Sequence, residues 1–272
     1  MVERSRRRRG KRELLGSHQR CWLWGRHLVT ETLRAGRWPV LELLLSDRLG
    51  PDELYQARQL ASRPGAEPPT APPQPATTLR IVAHDELTRL GRTSEHQGYL
   101  TKMPAFPYDE LEAVLARSPA NPLYLLLDQL QDPYNFGAVL RSADGLGVDA
   151  VFVGTAGQSE VTSLAARASA GAVNHVPLAR TEDLPSLVER LRAAGLVCAA
   201  AVHTADTDVS ACDFRGPTLI VIGNEGSGIR PEILSRCNRQ VRIPQFGHVS
   251  SLNAAVSTGI LLYEVRRQRT AG

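Results

Sequence analysis

The sequence is poor in the residues that would tie it to several protein classes. Its four cysteines, Cys21, Cys198, Cys212 and Cys237, form no C-x-x-C pair and have no histidine at metal-ligand spacing. That argues against a metal site or a disulfide scaffold and reads as a reduced cytosolic thiol set. No apolar run approaches the roughly 20 residues of a membrane span, and the longest, such as Leu123–Leu127, are strand-sized. The chain is therefore expected not to enter a membrane. No apolar segment follows the N-terminal arginines, so a secretory signal is not expected. An arginine-rich, acid-poor start also fits an organellar transit peptide, but the flanking segment lacks a clear amphipathic helix, and cytoplasm is the expected location. Internal repeats are absent. Aromatic residues are only 5% of the chain, yet 42% hydrophobic and 22% charged residues over 272 positions describe a globular protein with room for two domains.

The formal charge of +4 is unevenly placed. Residues 1–20 hold eight basic side chains (Arg4, Arg6, Arg7, Arg8, Arg9, Lys11, Arg12 and Arg20) against Glu3 and Glu13, a net of +6. The remaining 252 residues carry −2, so the folded body is near neutral and bulk charge identifies no partner. The tail is either a sequence-blind phosphate anchor or a disordered solubility segment.

Periodicity divides the rest. A helix opens near Gly25, a strand is expected at Val40–Leu45, and Pro51 with Asp52 and Glu53 starts a helix to Ala61. Six prolines between Arg63 and Thr78, with almost no large apolar residue, exclude helix and central strand there and predict an exposed insertion. Strand Leu79–Ala83, helix Asp85–Leu90 and strand Gly98–Lys102 follow. The expected organisation is a basic tail (1–20), a small α/β domain (21–104) with insertion 63–78, a linker (105–121) that includes a helix at Asp109–Arg117, and a second domain (122–272).

In that second domain, strands are expected at Leu123–Asp128, Ala150–Gly154, His175–Ala179, Leu196–His203, Thr218–Gly223 and Gln240–Pro244. Helices are expected at Phe136–Leu146, Ser163–Ser169, Leu184–Ala194, Pro231–Cys237 and Ser251–Arg267. Runs such as Leu219-Ile-Val-Ile222 do not alternate, as in strands covered on both faces. The fold class is α/β with a mostly parallel sheet, whose ligand site belongs at the carboxyl ends of its strands.

Three loops at those ends carry more polar residues and glycine than packing requires. In Asp128–Ala143, Pro133 and Gly137 shape a turn into a helix, where Asn135 either caps the helix or faces a polar ligand. Arg141, six residues on, is either solvated or aimed at a phosphate. In Gly223-Asn-Glu-Gly-Ser-Gly228, three glycines permit close backbone approach around the lone carboxylate of Glu225. The order G-x-x-G-x-G is not the dinucleotide fingerprint G-x-G-x-x-G, which disfavours a nicotinamide-dependent oxidoreductase. A plain strand-to-helix turn is the bland alternative. In Ile243–Ser257, Ser251 stands where a cap for the last helix belongs, and Asn253 lies among apolar residues where an amide needs a partner. His248 on its loop is expected to face solvent.

Together, DPxNxGAxxRSA, GNEGxG and IPxxGxxxSLNxAVS, in that order from Leu123 to Arg267, resemble the three motifs of the SpoU/TrmH family of RNA 2'-O-ribose methyltransferases, of the SPOUT class. Gly25-Arg-His27 and His96-Gln97-Gly98 also resemble that family's small RNA-binding domain, similar to a ribosomal protein. The resemblance implies a C-terminal sheet with a deep trefoil knot, S-adenosylmethionine held in the knot loops, and a homodimer whose active site borrows residues across the interface. It implies cofactor contacts at Gly223, Asn224, Gly228, Ile243 and Leu252, and a catalytic centre ordered by Asn135, Arg141, Glu225, Ser251 and Asn253, with no metal. The implied substrate is RNA, most like a guanosine of 23S rRNA. A tRNA substrate, or a ribosome assembly factor that binds RNA without turnover, are the alternatives.

Overall fold

A computed structural model describes residues 22–62, 77–249 and 251–270. The basic tail and nearly all of the proline-rich insertion lie outside them. The chain forms two compact units: one of the described residues up to Pro107 together with Val161–His175, the other of Tyr108–Glu160 and Val176 onward.

The first unit contains β1 (Trp22–Trp24), α1 (Arg26–Ala35), β2 (Glu42–Ser46), α2 (Pro51–Ala61), β3 (Thr78–Val82), α3 (His84–Gly91) and β4 (Tyr99–Lys102). Its sheet runs β1-β4-β2-β3, with β2 and β3 parallel and the other pairs antiparallel. The central strand β2 reads ELLLS, and Leu43, Leu44 and Leu45 are fully buried. Trp24, Leu44, Val82, Leu87 and Leu100 form one core cluster. β1 was not expected from the sequence: three residues beside a charged tail carry no period, and pairing with β4 defines them.

The two short segments singled out in this unit meet. Arg26 N–H donates to Gln97 Oε1 at 2.9 Å, and Gly25 N–H donates to Tyr99 O at 3.2 Å. His96 is fully buried, accepts Gly98 N–H at Nδ1 (3.0 Å), and stands 3.0 Å by Nε2 from Thr88 Oγ1. Because Nδ1 accepts, Nε2 carries the proton and the ring is neutral. Gly98, at φ 81°, packs so close to Leu49 that a Cβ would lie 2.7 Å from Leu49 Cδ2. No other residue fits that turn without displacing Leu49.

α6 (Ser163–Ala168) and the short 3-10 turn Ala172–Asn174 belong to this unit as well. Arg167 pairs with Glu95 at 2.9 Å, Asn174 Nδ2 donates to Thr32 Oγ1 at 3.1 Å, and His175 Nε2 lies 3.0 Å from Glu31.

The second unit contains α4 (Leu111–Ala116), β5 (Leu123–Leu127), α5 (Pro133–Gly145), β6 (Ala150–Gly154), β7 (Leu178–Thr181), α7 (Leu184–Ala193), β8 (Val197–Ala201), β9 (Thr218–Ile222), α8 (Pro231–Leu234), β10 (Arg239–Val241) and α9 (Ala254–Thr270). Its six strands are all parallel in the order β10-β8-β9-β5-β6-β7. β5 (LYLLL), β6 (AVFVG) and β9 (TLIVI) are buried at every position, as the unbroken apolar runs require of strands covered on both faces. From β5 the chain winds outward through β6 and β7, then returns to build β8, β9 and β10 on the other side. The order therefore reverses between β5 and β9, where an open parallel sheet parts its loops into a crevice.

Several expected boundaries move. The strand expected at His175–Ala179 lies at Leu178–Thr181, because Ala172–His175 is taken up by the 3-10 turn and its C-cap. The helix expected over Pro231–Cys237 is a single turn, and the following strand is Arg239–Val241 rather than Gln240–Pro244. The last helix starts at Ala254, three residues late, and runs on to Thr270. It packs against α5. Its end is fastened by Arg269, whose guanidinium donates to the carbonyls of Asn121 (3.0 Å), Pro122 (3.0 Å), Phe214 (3.1 Å) and Gly216 (2.7 Å).

Candidate active site

The loops leaving β5 and β9 meet at the reversal point of the sheet. Leu127 and Ile222 are paired, and Asp128 N–H continues the ladder to Ile222 O at 2.8 Å. Asp128 is fully buried, and its carboxylate accepts Arg230 N–H (2.8 Å) and Arg230 Nε (2.7 Å). A buried carboxylate needs such partners, and this one holds the far end of the glycine-rich loop against the start of the other. Asn224 ties the middle, donating from Nδ2 to Gln129 O (2.8 Å) and accepting Gly226 N–H (2.8 Å) and Ser227 N–H (3.0 Å) at Oδ1. Asn224 and Gly228 exchange two backbone bonds of 3.0 Å, folding the loop into a hairpin. Gly223 makes the fold-back possible: a Cβ there would lie 2.3 Å from Gly228 C and 2.4 Å from Ile229 N, both backbone atoms that cannot swing aside.

Asp132 caps α5 by accepting Tyr134 N–H at 2.8 Å, with Pro133 at the first helical position. Asn135 is therefore released from capping. Its Nδ2 donates to Glu225 Oε1 at 2.9 Å, and its Oδ1 accepts Asn253 Nδ2 at 2.9 Å. Asn253 Oδ1 in turn accepts the N–H groups of Ala255 (2.9 Å) and Val256 (3.3 Å), so Asn253, and not Ser251, caps α9. Ser251 is exposed and makes no side-chain hydrogen bond to the described residues. The result is a directed chain of donors, from the positive start of α9 through two amides to a carboxylate. Both amides are fixed in orientation because each has a donor partner on one side and an acceptor on the other.

The structure thus brings Asn135, Glu225, Asn253, Gly223, Asn224 and Gly228 into one cluster at the carboxyl end of the sheet. Arg141 lies farther along α5, exposed and without a hydrogen bond or ion pair to the described residues. Ile243 and Leu252 are half-buried at the two ends of the loop between β10 and α9. His248 faces solvent, as expected. Two residues that sequence reasoning did not single out, Asp128 and Arg230, set the geometry of both loops. Their signal was a carboxylate directly after an apolar strand, where burial would demand a cationic or N–H partner. Among the described residues, no three His, Cys, Asp or Glu side chains are grouped to hold a metal ion.

Residues 122–263 match the model of the SpoU rRNA Methylase family. A putative TrmH family tRNA/rRNA methyltransferase of Bacillus subtilis, YacO, is 30% identical over 256 residues, covering 93% of this chain and 98% of that protein. The 23S rRNA (guanosine-2'-O-)-methyltransferase RlmB of Pseudomonas aeruginosa is 38% identical over 178 residues, 64% of this chain and 72% of that one. Among solved structures, the SpoU methyltransferase AviRb from Streptomyces viridochromogenes in complex with AdoMet superposes with a TM-score of 0.74 at 30% identity, covering 92% of this chain and 91% of AviRb.

Proposed function

The chain belongs to the SpoU methylase family and is an RNA methyltransferase with S-adenosylmethionine as methyl donor, and we propose that its acceptor is a ribose 2'-hydroxyl of ribosomal RNA, most like a guanosine of 23S rRNA. The observation that carries this reading is the Glu225–Asn135–Asn253 chain at the reversal point between β5 and β9.

The crevice fits the donor. The Gly223–Gly228 hairpin is folded so tightly that Gly223 admits no side chain, which lets a ligand approach its main chain, and the half-buried Ile243 and Leu252 offer apolar surface for a flat adenine. Gly223, Asn224, Gly228, Ile243 and Leu252 would hold it. When bound, the sulfonium supplies a methyl group that is already activated. What the protein adds is alignment of a ribose oxygen and stabilisation of the charge that develops on it. The hydrogen-bonded amides fix Glu225 and the start of α9 relative to α5. A guanidinium such as that of Arg141 is a poor base. Arg141 binds the RNA phosphate next to the acceptor and favours the developing alkoxide.

The wider reading includes a trefoil knot, a homodimer, an RNA-binding first unit and a cytoplasmic location. The placement of the described residues on either side supports the knot: β10 lies at the edge of the sheet, and Asn253 meets Asn135 at its middle. An exposed stripe on α9 supports the dimer, with Val256, Ile260 and Tyr263 51%, 37% and 61% exposed at helical spacing. No helix among the described residues is long and apolar enough to cross a membrane.

The test is transfer of labelled methyl from S-adenosylmethionine to separated rRNA and tRNA lacking their own modifications, with mapping of the ribose methylated. Label at one rRNA nucleotide, lost by at least about 100-fold in Asn135→Ala, is the expected outcome. Label in tRNA keeps the chemistry and overturns the substrate; cofactor binding with no transfer to either RNA overturns the reading in favour of a non-catalytic RNA-binding factor.

A further inference from the structure

The chain has five phenylalanines, and four of them, Phe106, Phe136, Phe152 and Phe214, are 7% exposed or less; Phe246 is 98% exposed. A side chain of that size stands wholly in water only at a continuing cost in apolar hydration. It does so on the loop whose far end is Asn253, seven residues on and hydrogen-bonded to Asn135. Gly247 follows it with open space where a Cβ would be, and Val249, 66% exposed, is the loop's second uncovered apolar group. No aromatic partner, cation or apolar neighbour among the described residues covers the ring.

Resting on the proposed function, we infer that Phe246 is the stacking platform for a nucleobase of the substrate RNA, at or next to the acceptor nucleotide. A ribose 2'-oxygen that must reach a methyl group inside a crevice belongs to a nucleotide turned out of its stack, and its base or its neighbour's then lacks a stacking partner. An aromatic face replaces that partner with no demand on base identity, and leaves hydrogen-bonding edges free for other groups to read. The ring acts on binding and placement of the RNA; it touches neither the hydroxyl nor the hydrogen-bonded amides.

The experiment compares the full-length protein with Phe246→Ala, Phe246→Leu and Phe246→Trp, using unmodified rRNA and S-adenosylmethionine. Stacking predicts that Phe246→Ala and Phe246→Leu both raise KM for RNA by about 5- to 100-fold, with cofactor affinity and oligomeric mass unchanged, while Phe246→Trp keeps the wild-type KM. In Phe246→Trp, indole fluorescence is quenched on adding RNA beyond any change that Trp22, Trp24 and Trp38 show in the wild type under the same titration. That readout does not depend on turnover, so it stands apart from the fate of the proposed reaction. Leucine restoring KM as well as tryptophan does, a fall in oligomeric mass in Phe246→Ala, or RNA binding by Phe246→Trp without quenching would each overturn the inference. The first two would assign the ring to a protein contact.

Discussion

Asn135 shows how a residue's role is decided by its neighbours. An asparagine in the first turn of a helix is ordinarily a cap, but Asp132 caps α5, and Asn135 joins Glu225 to Asn253 across 90 and 118 positions of sequence. The apolar neighbours of Asn253 in sequence suggest a buried amide in need of a partner; the residue is exposed, and it has its partners because it caps α9 and meets Asn135. The identity of the amide partner is not legible in the sequence, since only the return of the chain to the sheet centre brings the two amides together. Ser251 illustrates the opposite case, a good capping residue by type that the helix simply begins beyond. Arg141, exposed and unpartnered, keeps its whole fork of donors for a ligand. Arg141→Lys, which preserves charge but not the planar fork, is expected to lower kcat/KM at least about 30-fold with cofactor binding retained. Near-wild-type turnover in that variant removes the phosphate-positioning role.

At the scale of elements, unbroken apolar runs placed the central strands of the parallel sheet within a residue or two. Short pieces defined by pairing rather than by pattern, such as Trp22–Trp24 and the turn at Ala172–Asn174, were invisible. Arg269 was equally hidden, since nothing in sequence distinguishes an arginine that binds four carbonyls from one in solvent. Burial lowers its pKa, but a guanidinium remains charged throughout the working range. Arg269→Lys cannot span the four acceptors, and a loss of about 2 kcal/mol in unfolding free energy is expected, readable as a lower denaturant midpoint with unchanged slope. A second prediction concerns α3 and the turn after it. Burial, and then the nearby ring of His84 with centroids 4.6 Å apart, hold the His96 imidazole below its ordinary value of 6.5. The folded state keeps the neutral ring, and the unfolded state takes up a proton first. The stabilising difference is therefore complete above about pH 6.5 and is lost as pH falls. All three tryptophans lie in the first unit, so their fluorescence should report a denaturant midpoint that declines between pH 7 and pH 5. A flat midpoint contradicts this account.

For the molecule as a whole, the class of fold was readable and the sheet order was not. Alternation of strand and helix patterns implies a parallel sheet, but whether successive strands are laid to the left or right of β5 depends on packing that no local period records. That choice creates the crevice. The exposed stripe of α9 belongs to this scale, because Val256, Ile260 and Tyr263 find no cover among the described residues of one chain. Tyr263→Arg, placing a charge in the stripe without touching the Asn253 cap, is expected to halve the mass observed by sedimentation and to reduce methyl transfer at least about 10-fold. A monomeric wild type, or a variant that stays dimeric, contradicts an interface on this stripe, whereas an active monomeric variant contradicts only an active site shared between subunits.

The excursion of Val161–His175 into the first unit makes the backbone pass between the two units three times, at Pro107–Tyr108, Glu160–Val161 and Val176. The N-terminal unit is consequently not a detachable module. A fragment ending at Pro107 would leave Thr32, Glu31 and Glu95 without Asn174, His175 and Arg167, and fusing or swapping that fragment between relatives would carry only part of its fold. A break at Pro107–Tyr108 would leave Val161–His175, which completes the first unit, on the other piece, so no single cut along this chain separates one whole unit from the other.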